Sequence, residues 1–111
     1  MIQNLFIARD SDSKYASWQA KIPTKSGNFY LSIVAGPHQY STPKEFVDTS
    51  KYTEVELAIF TKDSEWATKE EASPVFPIIG EGQYAFWEEG SRYAVFSYVD
   101  IELIDKVVEA L

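Results

Sequence analysis

The chain has 111 residues and no cysteine. It has one histidine, one methionine, five glycines and five prolines. Without cysteine there is no disulfide framework and no thiolate metal site. The single imidazole, His38, would be the only base poised near neutral pH for a Ser or Thr nucleophile, and no Gly-x-Ser-x-Gly elbow accompanies it. No apolar run approaches the ~18 residues of a membrane-spanning helix. The start, Met1-Ile2-Gln3-Asn4-Leu5, has neither the basic region nor the apolar stretch of a signal peptide. Basic residues are also scarce, with 10 Lys+Arg against 17 Asp+Glu and a formal net charge of -7. These shortages leave one expectation: a cytoplasmic single domain over residues 1–111, without membrane contact, metal or cofactor.

The chain is rich in apolar and aromatic side chains, at 45% and 15%. That is too apolar for a disordered chain. A chain of this size buries roughly two-thirds of its unfolded surface, enough for one core. The charge is uneven. Six bases and five acids precede residue 55, whereas four bases and twelve acids follow it. A phosphate-binding surface needs clustered Lys and Arg. The bases of the first half are spaced out along the chain, so direct nucleic-acid binding is not expected. The acidic half fits a protein partner with a basic patch, or plain solubility.

Short alternating segments dominate. Asn4 to Arg9 reads as a strand, with Leu5 and Ile7 on one face and Phe6 and Ala8 on the other. Asp10-Ser11-Asp12-Ser13 is a polar turn. It resembles the start of a calcium loop but has Tyr15 where Gly is needed and Lys21 where Glu is needed. Tyr15 to Ile22 and Phe29 to Val34 form an antiparallel hairpin on this reading. Thr42-Pro43-Lys44-Glu45 has the form of a helix start, with Thr42 capping and Glu45 closing a capping box over a single turn. Thr53 to Thr61 is the clearest strand, with Val55, Leu57 and Ile59 inward and Glu54 and Glu56 toward water. A short return strand follows at Trp66 to Thr68. Residues 69–83 read as a long irregular stretch, with Pro74-Val75-Phe76-Pro77 docked by Phe76. Gly80-Glu81-Gly82 lacks the Gly-Lys-Ser/Thr ending of a phosphate loop. Tyr84 to Trp87 and Arg92 to Val99 make a second hairpin. Asp100 then caps an amphipathic helix with Ile101, Ile104, Val107, Val108 and Leu111 in one stripe. The fold class is therefore α+β: a bent antiparallel sheet or small open barrel of about six short strands, with one C-terminal amphipathic helix.

Three functions follow from this reading. The first is a non-catalytic protein-binding domain. It acts through an aromatic hairpin rimmed by acids, at Tyr84, Trp87, Glu88, Glu89 and Tyr93. A sharper form is imitation of nucleic-acid charge in a partner's phosphate-binding groove. Such a domain resembles accessory or inhibitor proteins of phage or prophage type, although no motif ties it to one family. The second is a homodimer, built on an edge strand such as Asn4 to Arg9 or on an exposed aromatic face. The third is a small-molecule binder with an aromatic pocket near His38 and Tyr40. Catalysis is not expected. The adjacent carboxylates Glu54 and Glu56 are read as a solvated strand face, since nothing in the pattern gives them unequal environments.

Overall fold

A computed structural model describes residues 5–80 and 94–111. Among them, five strands form one open antiparallel sheet: β1 (Ile7–Arg9), β2 (Ser17–Pro23), β3 (Phe29–Ala35), β4 (Glu54–Thr61) and β5 (Val95–Asp100). They lie side by side in sequence order, so β1 and β5 are the two edges. Among the described residues the sheet has five strands, where about six were expected, and it does not close into a barrel. The return strand at Trp66 to Thr68 shrinks to a single bridge between Phe60 and Trp66. The segment Tyr84 to Trp87 lies outside the described residues.

Alternation sets the register. Ala20 lies opposite Ile33, and Ile33 lies opposite Leu57. Ile22, Leu31 and Ile59 make the next row, and Leu57 pairs with Phe96 on β5. Directly opposed residues share a face, so these side chains form one apolar surface. Leu31, Ile33, Val55, Leu57 and Ile59 are wholly buried there.

Two helical segments are associated with this core, where one had been expected. The first runs from residue 69 to 79 as α1 (Lys69–Ala72), a 3-10 turn (Ser73–Val75) and α2 (Phe76–Ile79). This corrects the expectation of an irregular stretch. A capping box starts the segment: the Thr68 hydroxyl accepts from the Glu71 N–H, and the Glu71 carboxylate accepts from the Thr68 N–H. Pro74 and Pro77 are each the second residue of their turns, within the opening turn where no intrahelical N–H is needed. Ala72 and Val75 are fully buried, and the Phe76 ring lies 6.4 Å from that of Phe96. The second segment is a 3-10 turn (Ile101–Leu103) leading into α3 (Ile104–Ala110). Asp100 caps it as expected, accepting from the Glu102 N–H at 2.9 Å. The stripe Ile101, Ile104, Val107 and Leu111 is buried, and Val108 packs against the same cluster half-buried.

The helix expected at Thr42 does not form. Thr42 instead bridges Glu54, and its N–H donates to the Glu54 carbonyl at 2.9 Å. The physical reason is competition. Only Lys44 to Val47 separate Pro43 from Asp48, too few residues to offset the cost of nucleating a helix. Tertiary partners take the segment's polar groups instead. The Trp18 indole donates to the Val47 carbonyl at 2.8 Å and stacks on Phe46, and the buried Tyr52 hydroxyl donates to the Glu45 carbonyl. The helical turn in this region comes later, at Thr49–Lys51, capped by Asp48.

Candidate interaction surface

The strand residues that point away from the core form a second sheet face. Pairing places Ile7 opposite Gln19, and Gln19 opposite Val34. Lys21 lies opposite Ser32, which lies opposite Ala58. This outer face has three zones.

At the β1 edge, all three strand residues are exposed. Leu5 is 51% and Ile7 69% exposed, whereas Phe6 between them is 9% exposed and joins the core. Sequence alternation placed Leu5 and Ile7 on one face, and the structure identifies that face as the outer one. A shallow groove of about 290 Å³ runs here, lined by Leu5, Ile7, Arg9, Gln19 and Lys21. Two cations thus flank two apolar side chains, and no acid is among these five residues. The Arg9 guanidinium donates to Gln19 Oε1, and Gln19 Nε2 donates to the Ser32 hydroxyl at 3.2 Å. That relay holds Arg9 against the sheet.

The centre of the face carries an aromatic row. Tyr30 stacks on Phe60 at 5.3 Å between ring centroids, and Phe60 meets Trp66 at 4.4 Å. The Lys21 ammonium lies 5.8 Å from the Tyr30 centroid, within cation–π range. Lys21 therefore joins the groove to the aromatic row.

Beyond it, the connection from β3 to β4 folds onto the face. Gly36 makes the first bend, where a Cβ would lie only 3.0 Å from the Ala16 carbonyl oxygen. The Tyr40 N–H donates to Glu56 Oε1 at 3.3 Å, and the Thr42 hydroxyl donates to Glu54 Oε1 at 2.7 Å. Burial pushes the Glu56 carboxyl above the usual carboxylate range, against the lowering effects of the Tyr40 N–H and Lys44. Glu54 and Glu56 are both half-buried, which corrects their assignment to a solvated face. They hold a connection against the sheet. Opposite Glu56 the register between β4 and β5 shifts, and Tyr98 takes a left-handed backbone with φ 53°. Strain of this kind costs of order 1 kcal/mol. The Tyr98 N–H turns to the Tyr40 carbonyl at 3.0 Å, so the bulge also fastens the connection. The Tyr40 and Tyr98 rings lie 5.9 Å apart.

His38 is exposed. Its Nε2 donates to the Lys14 carbonyl at 3.0 Å, and its ring tilts against Tyr15 at 5.2 Å. These contacts tie two loops together. Neither the β1 groove nor a second open groove of about 490 Å³, lined by Ile78, Asp105, Lys106, Glu109 and Ala110, includes it. The partner-binding residues expected from sequence, Tyr84, Trp87, Glu88, Glu89 and Tyr93, lie outside the described residues. Among the described residues, no group of three or more His, Asp or Glu side chains is placed to hold a metal ion. No helix there is long and apolar enough to cross a membrane.

Sequence reading missed Arg9, Gln19 and Lys21 as a group. They lie up to twelve positions apart in the chain, and antiparallel pairing of β1 with β2 brings them together. The available signal was the alternation Leu5, Ile7, Arg9, once Phe6 is taken as the buried member of the pair. No protein-family model, curated protein or solved structure matches the chain.

Proposed function

We propose that this protein is a small, acidic, non-catalytic binding domain that recognises another polypeptide through the β1 edge of its sheet. The exposure of Leu5 and Ile7 beside the cations Arg9 and Lys21 carries this reading. Edge strands present unpaired N–H and C=O groups and are a recurrent site of strand addition. Apolar side chains standing outside the core at such an edge supply contact area for a partner.

The test is capture of partners by the wild-type chain and by Ile7→Asp. Proteins retained by the first and lost by the second, with circular dichroism unchanged, support the reading. Capture that survives Ile7→Asp and disappears on charge reversal at Glu88 and Glu89 instead moves the site to the acidic aromatic segment. A second reading, self-association, draws on the same exposed edge. Sedimentation over the micromolar range decides it, because a monomer throughout would end it.

A further inference from the structure

The β1 groove also constrains the chemistry of its occupant. We infer that it receives an acidic, extended peptide segment, added to the sheet as a strand beside β1, with apolar side chains alternating with carboxylates. This rests on the reading of β1 as a docking edge and deepens it.

Three observations carry it. The first is charge. The chain has a net charge of -7, yet the groove is lined by Arg9 and Lys21 and by no acid. Asp10 and Asp12 belong to the turn beyond Arg9, where Lys14 accompanies them. The second is preparation. Arg9 is held by Gln19, which is itself held by Ser32, so the guanidinium loses less freedom on meeting a carboxylate. The third is the periodicity of the surface. Ile7 and Arg9 project to one side of the edge at the spacing of alternate strand residues, and Leu5, just before β1, lines the same groove. An added strand presents its own alternate side chains to the same face, so apolar residues meet Leu5 and Ile7 while carboxylates meet Arg9 and Lys21.

The same charges argue against a second copy of the chain at this edge. Pairing two β1 strands would place Arg9 and Lys21 of both copies on one sheet face, with no acid among the groove residues. Four cations gathered on one face without an acid repel one another.

The test uses the whole protein, labelled with nitrogen-15, and three synthetic eight-residue peptides. One alternates glutamate with valine, one lysine with valine, and one glutamine with valine. The expected result is that the glutamate peptide shifts the amide signals of Ile7, Ala8 and Arg9 and slows their hydrogen exchange. The lysine peptide leaves them unmoved. Arg9→Glu combined with Lys21→Glu weakens the glutamate peptide about tenfold and brings in the lysine peptide. Added salt weakens the wild-type interaction. Equal shifts at β1 from all three peptides would overturn the acidic preference while leaving β1 as a docking edge. No shift at β1 from any peptide would overturn both. Shifts confined to Ile78, Lys106 and Ala110 would place strand-independent binding in the other groove and overturn the inference.

Discussion

The two faces of the sheet are made by the same strands, and they are finished differently. On one face, side chains from β3 and β4 meet Phe96 of β5 and belong to a buried cluster that includes residues of both helical segments. On the other, Tyr30, Phe60 and Trp66 are only half-buried, and Ile7 stands mostly in water. The buried face is fixed by volume, since close-packed interiors feel the loss of even a methylene. The outer face is fixed by hydrogen bonds and ring contacts, which leave room for something to approach. Stability is therefore concentrated on one side, and the edge proposed for recognition lies on the other.

That contrast can be broken most forcefully at its centre. Leu57→Ala removes a wholly buried side chain from the middle strand rows and should cost about 2–5 kcal/mol. Val34→Ala, on the half-buried outer face, should cost well under half as much. Urea denaturation of the two variants measures both, and equal costs would show that the outer face is packed as tightly as the inner one.

Next in size is the cover over the core. Thr68→Ala removes one half of the capping box and should lower stability by about 1 kcal/mol, with Thr68→Ser restoring most of it. An unchanged unfolding midpoint would mean that residues 69–79 are held by Val75 and its neighbours alone.

Glu56 tests the outer face through pH. Its folded pKa is raised by burial, so the folded state binds this proton more tightly than the unfolded chain does. Its contribution is therefore fully present below the ordinary value of 4.5 and is lost as pH rises through the raised one. Glu56→Gln keeps an acceptor for the Tyr40 N–H and removes the titration. The variant should gain stability relative to the wild type as pH climbs through that window. Parallel curves from pH 4 to 7 would show that Glu56 is as well solvated folded as unfolded.

The smallest expected change in stability is at the edge. Ile7→Asp should stay within about 0.5 kcal/mol of the wild type, because the side chain is exposed. A large loss would mean that Ile7 serves the fold and would weaken β1 as a recognition edge.

The sequence made the inner face easier to read than the outer. Val55, Leu57 and Ile59 alternate with polar neighbours, and Asp100 precedes a stripe at helical spacing, so β4 and the last helix are visible in the chain. Two local signals misled. The cap-like run at Thr42 lost to Trp18 and Tyr52, whose hydrogen bonds arrive from distant parts of the chain. The capping box at Thr68 and Glu71 is hidden by the strand-like run Trp66 to Thr68, and Pro74 and Pro77 look like breakers although each sits second in a helical turn. The Arg9–Gln19–Lys21 surface was hidden for another reason: it belongs to the pairing of two strands, and neither strand states it alone.

Phe6 gives the edge a further property. β1 pairs with β2 alone among the described strands, yet the residue just before it sits in the core cluster. The strand is moored at one end by a single ring. Whatever holds β1 in place also holds that ring in its seat, and by linkage anything that loosens the ring weakens the hold. Occupancy at the rim would then be readable from the interior, as a rise in melting temperature that Phe6→Ala diminishes.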